Sequence, residues 1–219
     1  MHIYVFGSLS RGEVRRNSDV DLLALVEGRD DRFDPDKYSI YSYSRIKELW
    51  SEGNPFAWHL FGESRLVFSS TGEDFIEMLG RPDEYRACAR DCRKFRSVFG
   101  RSREAFYVSD CTAVFELSTI FLSIRNFATC YSLGMLKSPC FSRDSALRLG
   151  LDSIELPLRV YEILERCRLL CTRGEGMNLD QGEIQVAEPS FLAIERWMDC
   201  LLEKVEAYER VQQPDRSAA

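Results

Sequence analysis

Two textures follow one another along the chain. In the first part, short apolar runs alternate with turn signals. His2–Phe6 is a compact apolar run ended by Gly7-Ser8. Val20–Val26, rich in valine and leucine, is closed by Glu27-Gly28-Arg29-Asp30-Asp31. Each predicts a strand. Tyr38–Ser44 sets Tyr38, Ile40 and Tyr41 against Ser39, Ser42 and Ser44, the slightly imperfect alternation of a half-buried strand. A helical stretch from about Arg45 to Glu52 and a short turn lead to Phe56–Phe61, and Arg65–Ser69 reads as a fourth, edge strand.

From Pro82 onward the spacing becomes helical and the strand signal fades. Asp83–Phe99 predicts a helix with Pro82 suited to its first turn. A longer one is expected from about Arg103 to Tyr131, stopped by Gly134 and Pro139, and two more over Leu156–Cys171 and Pro189–Val211. No internal repeat is evident, and 212–219 is a polar tail with one proline, expected to fray. The pattern predicts a small α/β domain over residues 1–80 and an all-helical domain over 81–211.

Composition narrows the classes without choosing a function. The chain has 219 residues, 45% hydrophobic and 29% charged, enough for a real core and typical of a globular protein. No apolar run reaches the roughly 20 residues that a membrane span needs. The N-terminal segment lacks the basic stretch and small-residue cleavage site of a signal peptide, so a cytoplasmic location is expected. A formal charge of -6 argues against broad nucleic-acid binding. Arg86, Arg90, Arg93, Lys94, Arg96, Arg101 and Arg103 are crowded together, and this run reads as a solvated helix face. The eight cysteines form no close Cys-x-x-Cys pair. Cys88/Cys92 and Cys167/Cys171 would each share a helix face, but their spacing is atypical for zinc, and buried free thiols in a reducing compartment are expected.

Chemistry concentrates in Gly7-Ser8-Leu9-Ser10-Arg11-Gly12 and Ser18-Asp19-Val20-Asp21-Leu22. A glycine–serine turn between a strand and a helix lets the backbone approach a phosphate, and the hydroxyl adds a donor. Asp19 and Asp21 are two apart, so on an extended strand both carboxylates share one face, while Val20 and Leu22 take the other. Two hard oxygen ligands on one face suit Mg²⁺, with water and phosphate oxygens completing its shell.

These residues resemble the polymerase-β-like nucleotidyltransferase superfamily, in particular its small bacterial branch. The likeness rests on Gly7-Ser8, Arg11-Gly12 and Ser18-Asp19-Val20-Asp21-Leu22, is specific over about residues 3–26, and is plausible by layout to about residue 70. It implies an α+β protein, with a small mixed-sheet nucleotidyltransferase domain followed by a helical bundle. It also implies an NTP substrate, taken as ATP, and catalysis by Mg²⁺ or Mn²⁺ held by Asp19 and Asp21. Gly7, Ser8, Arg11 and Ser18 would bind the nucleotide. The acceptor hydroxyl would belong to a small molecule, an RNA end or a protein.

The pattern departs from the family at one point that matters. Family enzymes carry a third carboxylate on the strand after the Asp-x-Asp strand, as metal ligand and as base. Tyr38–Ser44 contains no acid, and Ser39 falls near the expected place. A serine cannot do that work. Asp36 just upstream and Glu63 are the alternatives. A catalytically degenerate binding or antitoxin-like module is therefore the rival to transfer.

His59, among aromatics, is expected to be a hydrogen-bonded packing residue. In the long helix, Glu116, Thr119, Ser123 and Asn126 form a polar stripe that fits either an acceptor-facing surface or a solvent strip. The family likeness also suggests that the helical domain shapes the acceptor site or a homodimer interface. Arg125-Asn126-Phe127-Ala128-Thr129-Cys130 looks similar to the Arg-polar-x-x-x-His signature of HEPN ribonucleases. Cys130 stands where the histidine belongs, so ribonuclease chemistry is not expected.

Overall fold

The computed structural model describes residues 1–13, 19–108 and 112–212. It divides into two compact units, Met1–Arg86 and the chain from Ala87 onward. A four-stranded mixed sheet lies in the first and helices make up the second, so the fold is α+β.

The sheet order is β3-β2-β1-β4, with β1 His2–Phe6, β2 Asp21–Val26, β3 Tyr38–Ser42 and β4 Arg65–Ser69. β1 is antiparallel to both β2 and β4, while β2 and β3 run parallel. Alternation along the strands makes two faces. Tyr4, Phe6, Leu23 and Leu25 face helices α1 (Tyr43–Ser51), α2 (Pro55–Glu63) and α3 (Phe75–Leu79), burying Ile46, Leu49, Trp50, Ala57, Leu60 and Ile76 with them. Ala24 and Val26 take the opposite face with Phe33, Met1, Ile3 and Tyr38.

Local chemistry sets the helix starts. Ser42 accepts a bond from the Arg45 amide at 3.1 Å and caps α1, so Tyr43 and Ser44 become helical rather than extending the strand. Asn54 caps α2 ahead of Pro55. Asp74 caps α3 and also accepts from the Tyr4 hydroxyl at 2.9 Å, tying that helix to the central strand.

The segment after α3 straps down the corner between α1 and α2. The Trp50 indole donates to the Gly80 carbonyl at 2.8 Å, the Trp58 indole donates to the Asp83 carbonyl at 3.1 Å, and the Asp83 amide donates to the Trp50 carbonyl at 3.0 Å. Gly53 sits beneath this strap at φ +60, where a Cβ would meet the Glu84 carbonyl oxygen at 2.4 Å. Gly53→Ala combines left-handed backbone with a clash against main chain and is expected to cost about 3 kcal/mol. A denaturant melt of the full chain checks it; an unchanged midpoint would contradict the strap.

In the second unit, α5 (Ala113–Gly134) packs against α4 (Cys88–Phe106), α6 (Leu158–Arg173) and α8 (Phe191–Gln212), and α7 (Gln181–Ala187) packs against α6. Leu117, Ile120, Ile124 and Phe127 of α5 are fully buried. The helix expected from Asp83 instead begins at Cys88, and it runs through Gly100 to Phe106. Arg96 and Arg103, on either side of Gly100, both pair with Glu195 of α8, and this tertiary grip outweighs the glycine. The helix expected over 103–131 is therefore two helices. Tyr107 and Val108 at the end of α4 are exposed, and Thr112 precedes α5.

The basic run is not simply a solvated face. Arg93 reaches Glu206 at 2.7 Å and Arg96 bonds Asp199 at 2.5 Å, so α4 and α8 are joined by an ion ladder. Cys88, Cys92, Cys130 and Cys167 are buried, Cys140 is half-buried, and Cys171 and Cys200 are exposed. The Cys92 thiol is pushed upward by its hydrogen bond with Cys88 and by burial. Among the described residues, no three His, Cys, Asp or Glu side chains are grouped to hold a metal, so the cysteine pairs form no zinc site there. In the polar stripe, Thr119 and Ser123 donate to the carbonyls of Phe115 and Thr119, and Glu116 and Ser123 are buried, so those two positions are not a solvent strip. Among the described residues, no helix is long and apolar enough to cross a membrane.

Candidate active site

β1 delivers the chain to the site. Its last residue, Phe6, is held edge-on by Phe56 and His59 of α2, with ring centroids 5.8 and 5.4 Å apart. The chain then turns at Gly7, φ +75. One tight coil follows. The amides of Arg11, Gly12 and Glu13 donate to the carbonyls of Gly7, Leu9 and Ser8 at 3.3, 3.1 and 2.9 Å, and Ser10 Oγ donates to the Val5 carbonyl at 3.2 Å. These main-chain bonds use none of the amides of Ser8, Leu9 and Ser10, which is the position of the free donors at a helix start. Ser8 Oγ is buried without a hydrogen-bond partner among the described residues. Val14–Ser18 lie outside the described residues, and with them the predicted nucleotide contact of Ser18 and the helix expected after the turn.

β2 brings the acids. Its register sets Asp21 opposite Phe6, so Asp21 shares a face with Leu23 and Leu25, and Asp19 precedes it in the connection. The Asp21 carboxylate lies over Gly7: a Cβ at position 7 would sit 2.2 Å from Asp21 Oδ2. Turn and carboxylate are in contact because position 7 has no side chain.

A cleft of about 440 Å³ opens beside the acids, lined by Asp19, Asp21, Asp36, Lys37, Tyr38 and Ser39 among others. The parallel register pairs Leu23 with Ser39 and Leu25 with Tyr41, which puts Ser39 on the Asp21 face of the sheet, as the count along the sequence anticipated. Tyr38 turns to the other face, against Phe33. Asp36 belongs to the turn before β3, where its amide donates to Asp34 Oδ1 at 3.0 Å. It lines the cleft but, among the described residues, does not complete a group of three metal-binding side chains. Lys37 is a rim residue that the sequence reading did not single out.

Arg11 and Glu63 are engaged with each other. Arg11 Nε donates to Glu13 at 2.8 Å and Nη1 donates to Glu63, while the same Glu63 oxygen bonds His59 Nε2 at 2.8 Å. Burial opposes the Arg11 charge, but the two carboxylates more than offset it and hold its pKa above the ordinary value. His59 is a hydrogen-bonded packing residue with its side chain 14% exposed. The spacing of His59 and Glu63, four apart on one helix, was visible in the sequence; their shared partner was not.

Residues 2–78 match the nucleotidyltransferase domain family, which identifies the first unit as a nucleotidyltransferase domain, of the polymerase-β-like kind that the Gly-Ser and Asp-x-Asp residues resemble. The match ends inside the first unit and does not reach the helical one. No curated protein matches the chain.

Proposed function

We propose that the first unit moves a nucleoside monophosphate from an NTP, with ATP as the working choice, to a hydroxyl acceptor, in a reaction dependent on Mg²⁺ or Mn²⁺. One observation supports this reading: Asp21 lies directly against Gly7, so the turn read as a phosphate site and the acid read as a metal ligand adjoin with no side chain between them. Asp19 and Asp21 would hold the divalent ion. When bound, the ion supplies the positive charge that a departing pyrophosphate needs. Ser8 Oγ, buried without a partner among the described residues, would donate to a phosphate oxygen, as would amides at the start of the turn. Small molecule, RNA end and protein all remain suitable acceptors.

Mg-ATP is expected to raise the Tm of the full chain, because it binds the native state and not the unfolded one. At a hundredfold excess over Kd the gain is about 2.7 kcal/mol. Absence of a shift with every common NTP and either metal would sink the reading.

Strand β3 favours a second reading, nucleotide binding without transfer. It offers Ser39, not an acid, on the Asp21 face, and the described residues supply no group of three metal ligands. α-labelled ATP separates the two: label moved to an acceptor in a lysate supports transfer, and nucleotide binding with no transferred label supports the module.

A further inference from the structure

Glu63 is an acid close to a turn that is read as an anion site, and its neighbours show how it is used. It is the last residue of α2, a helix anchored in the core by Ala57 and Leu60. One carboxylate oxygen receives Arg11 Nη1 and also bonds His59 Nε2, and the three side chains are only 14–20% exposed. The His59 ring in turn packs against Phe6, the residue before Gly7. The turn is therefore gripped at both ends from α2, through Phe6 where it begins and through Arg11 where it closes. Glu13 accepts from Nε of the same guanidinium.

We propose that Glu63, through Arg11 and His59, is a positioning residue that fixes the Gly7–Gly12 turn for the nucleotide, and that Arg11 is part of this clamp and not a phosphate ligand. The proposal rests on the nucleotide-binding reading above. It follows from charge: Arg11 directs Nε at Glu13 and Nη1 at Glu63, so its single positive charge already faces two carboxylates. A phosphate approaching it would have to displace Glu63 or share the arginine with a like charge.

The two roles for Arg11 predict opposite signs for one substitution. If Arg11 binds phosphate, Glu63 competes for it, and Glu63→Gln frees the arginine and tightens Mg-ATP. If Glu63 positions the turn, Glu63→Gln loosens the turn and weakens Mg-ATP.

The experiment measures Mg-ATP affinity by calorimetry, and amide hydrogen exchange over Gly7–Glu13, on the full chain. Glu63→Gln is expected to weaken binding about tenfold and to speed exchange in the turn, and Arg11→Gln combined with it is expected to add little, since both break one contact. Glu63→Asp keeps the charge but shortens the arm and carries the same prediction if the glutamine variant does not fold. Binding as tight as wild type or tighter, or an unchanged exchange rate in the turn, overturns the clamp. A wild-type protein with no affinity for Mg-ATP overturns the nucleotide reading instead, and the exchange measurement then decides by itself whether the clamp exists.

Discussion

Gly7→Ala is expected to abolish both the Mg-ATP-dependent rise in Tm and any nucleotidyl transfer. Two effects act together. Backbone at φ +75 is strained for alanine by about 1–2 kcal/mol. The new methyl would also stand 2.2 Å from Asp21 Oδ2, far inside contact distance. Either the turn or the carboxylate must give way, and in both cases the proposed phosphate donors and the proposed metal ligand separate. Tm in the absence of nucleotide should fall by only a few degrees, since the substitution lies at the end of the sheet and not in the core. A Gly7→Ala protein that kept the wild-type nucleotide shift would show that the contact between turn and acid is incidental.

The second large effect is expected from Asp19→Asn together with Asp21→Asn. The shape is kept, but both negative charges go, and a neutral amide is a poor ligand for Mg²⁺. The metal-dependent part of the ATP shift should vanish and transfer should fall below detection. Titrating Mg²⁺ at fixed ATP and following Tm checks this; a persisting metal response in the double variant would move the metal elsewhere.

What the sequence made legible was whatever local spacing determines. His2–Phe6 and Arg65–Ser69 declare themselves as strands, and Gly7-Ser8 as the turn that ends the first; of the two acids expected on one strand, Asp21 opens β2 and Asp19 lies in the connection before it. Boundaries were harder, because a single capping side chain decides them. Ser42 belongs to the alternating pattern of β3, yet its hydroxyl starts α1. Two short helices escaped the periodicity altogether: α3 and α7 are too brief for a 3.6-residue pattern to accumulate. Both carried a different signal, an acid followed three residues later by glutamate, in Asp74–Glu77 and Asp180–Glu183. α4 could not have been drawn correctly from its own residues, since Gly100 lies inside it and the ions that carry it through sit on α8. The site divides in the same way. The turn and acids of the proposed site are local and readable, whereas the bond from Arg11 to Glu63 appears only once α2 is folded beside the turn.

The place of β1 in the sheet has a consequence for when the site comes into being. β1 is made before the other three strands of its sheet, yet it is an inner strand: His2 pairs with Leu25 on one side and with Ser69 on the other. Its second edge stays open until α1, α2 and β4 have been synthesised, and closing such a distant pairing is the slow part of assembling a sheet. The turn at Gly7 hangs from that strand, and Glu63, which meets Arg11, is the last helical residue before β4. Nascent chains released before β4 joins would therefore carry the glycine, the serine and both aspartates on a strand with one edge still open. The proposed nucleotide site is expected to be complete only once the fourth strand has paired.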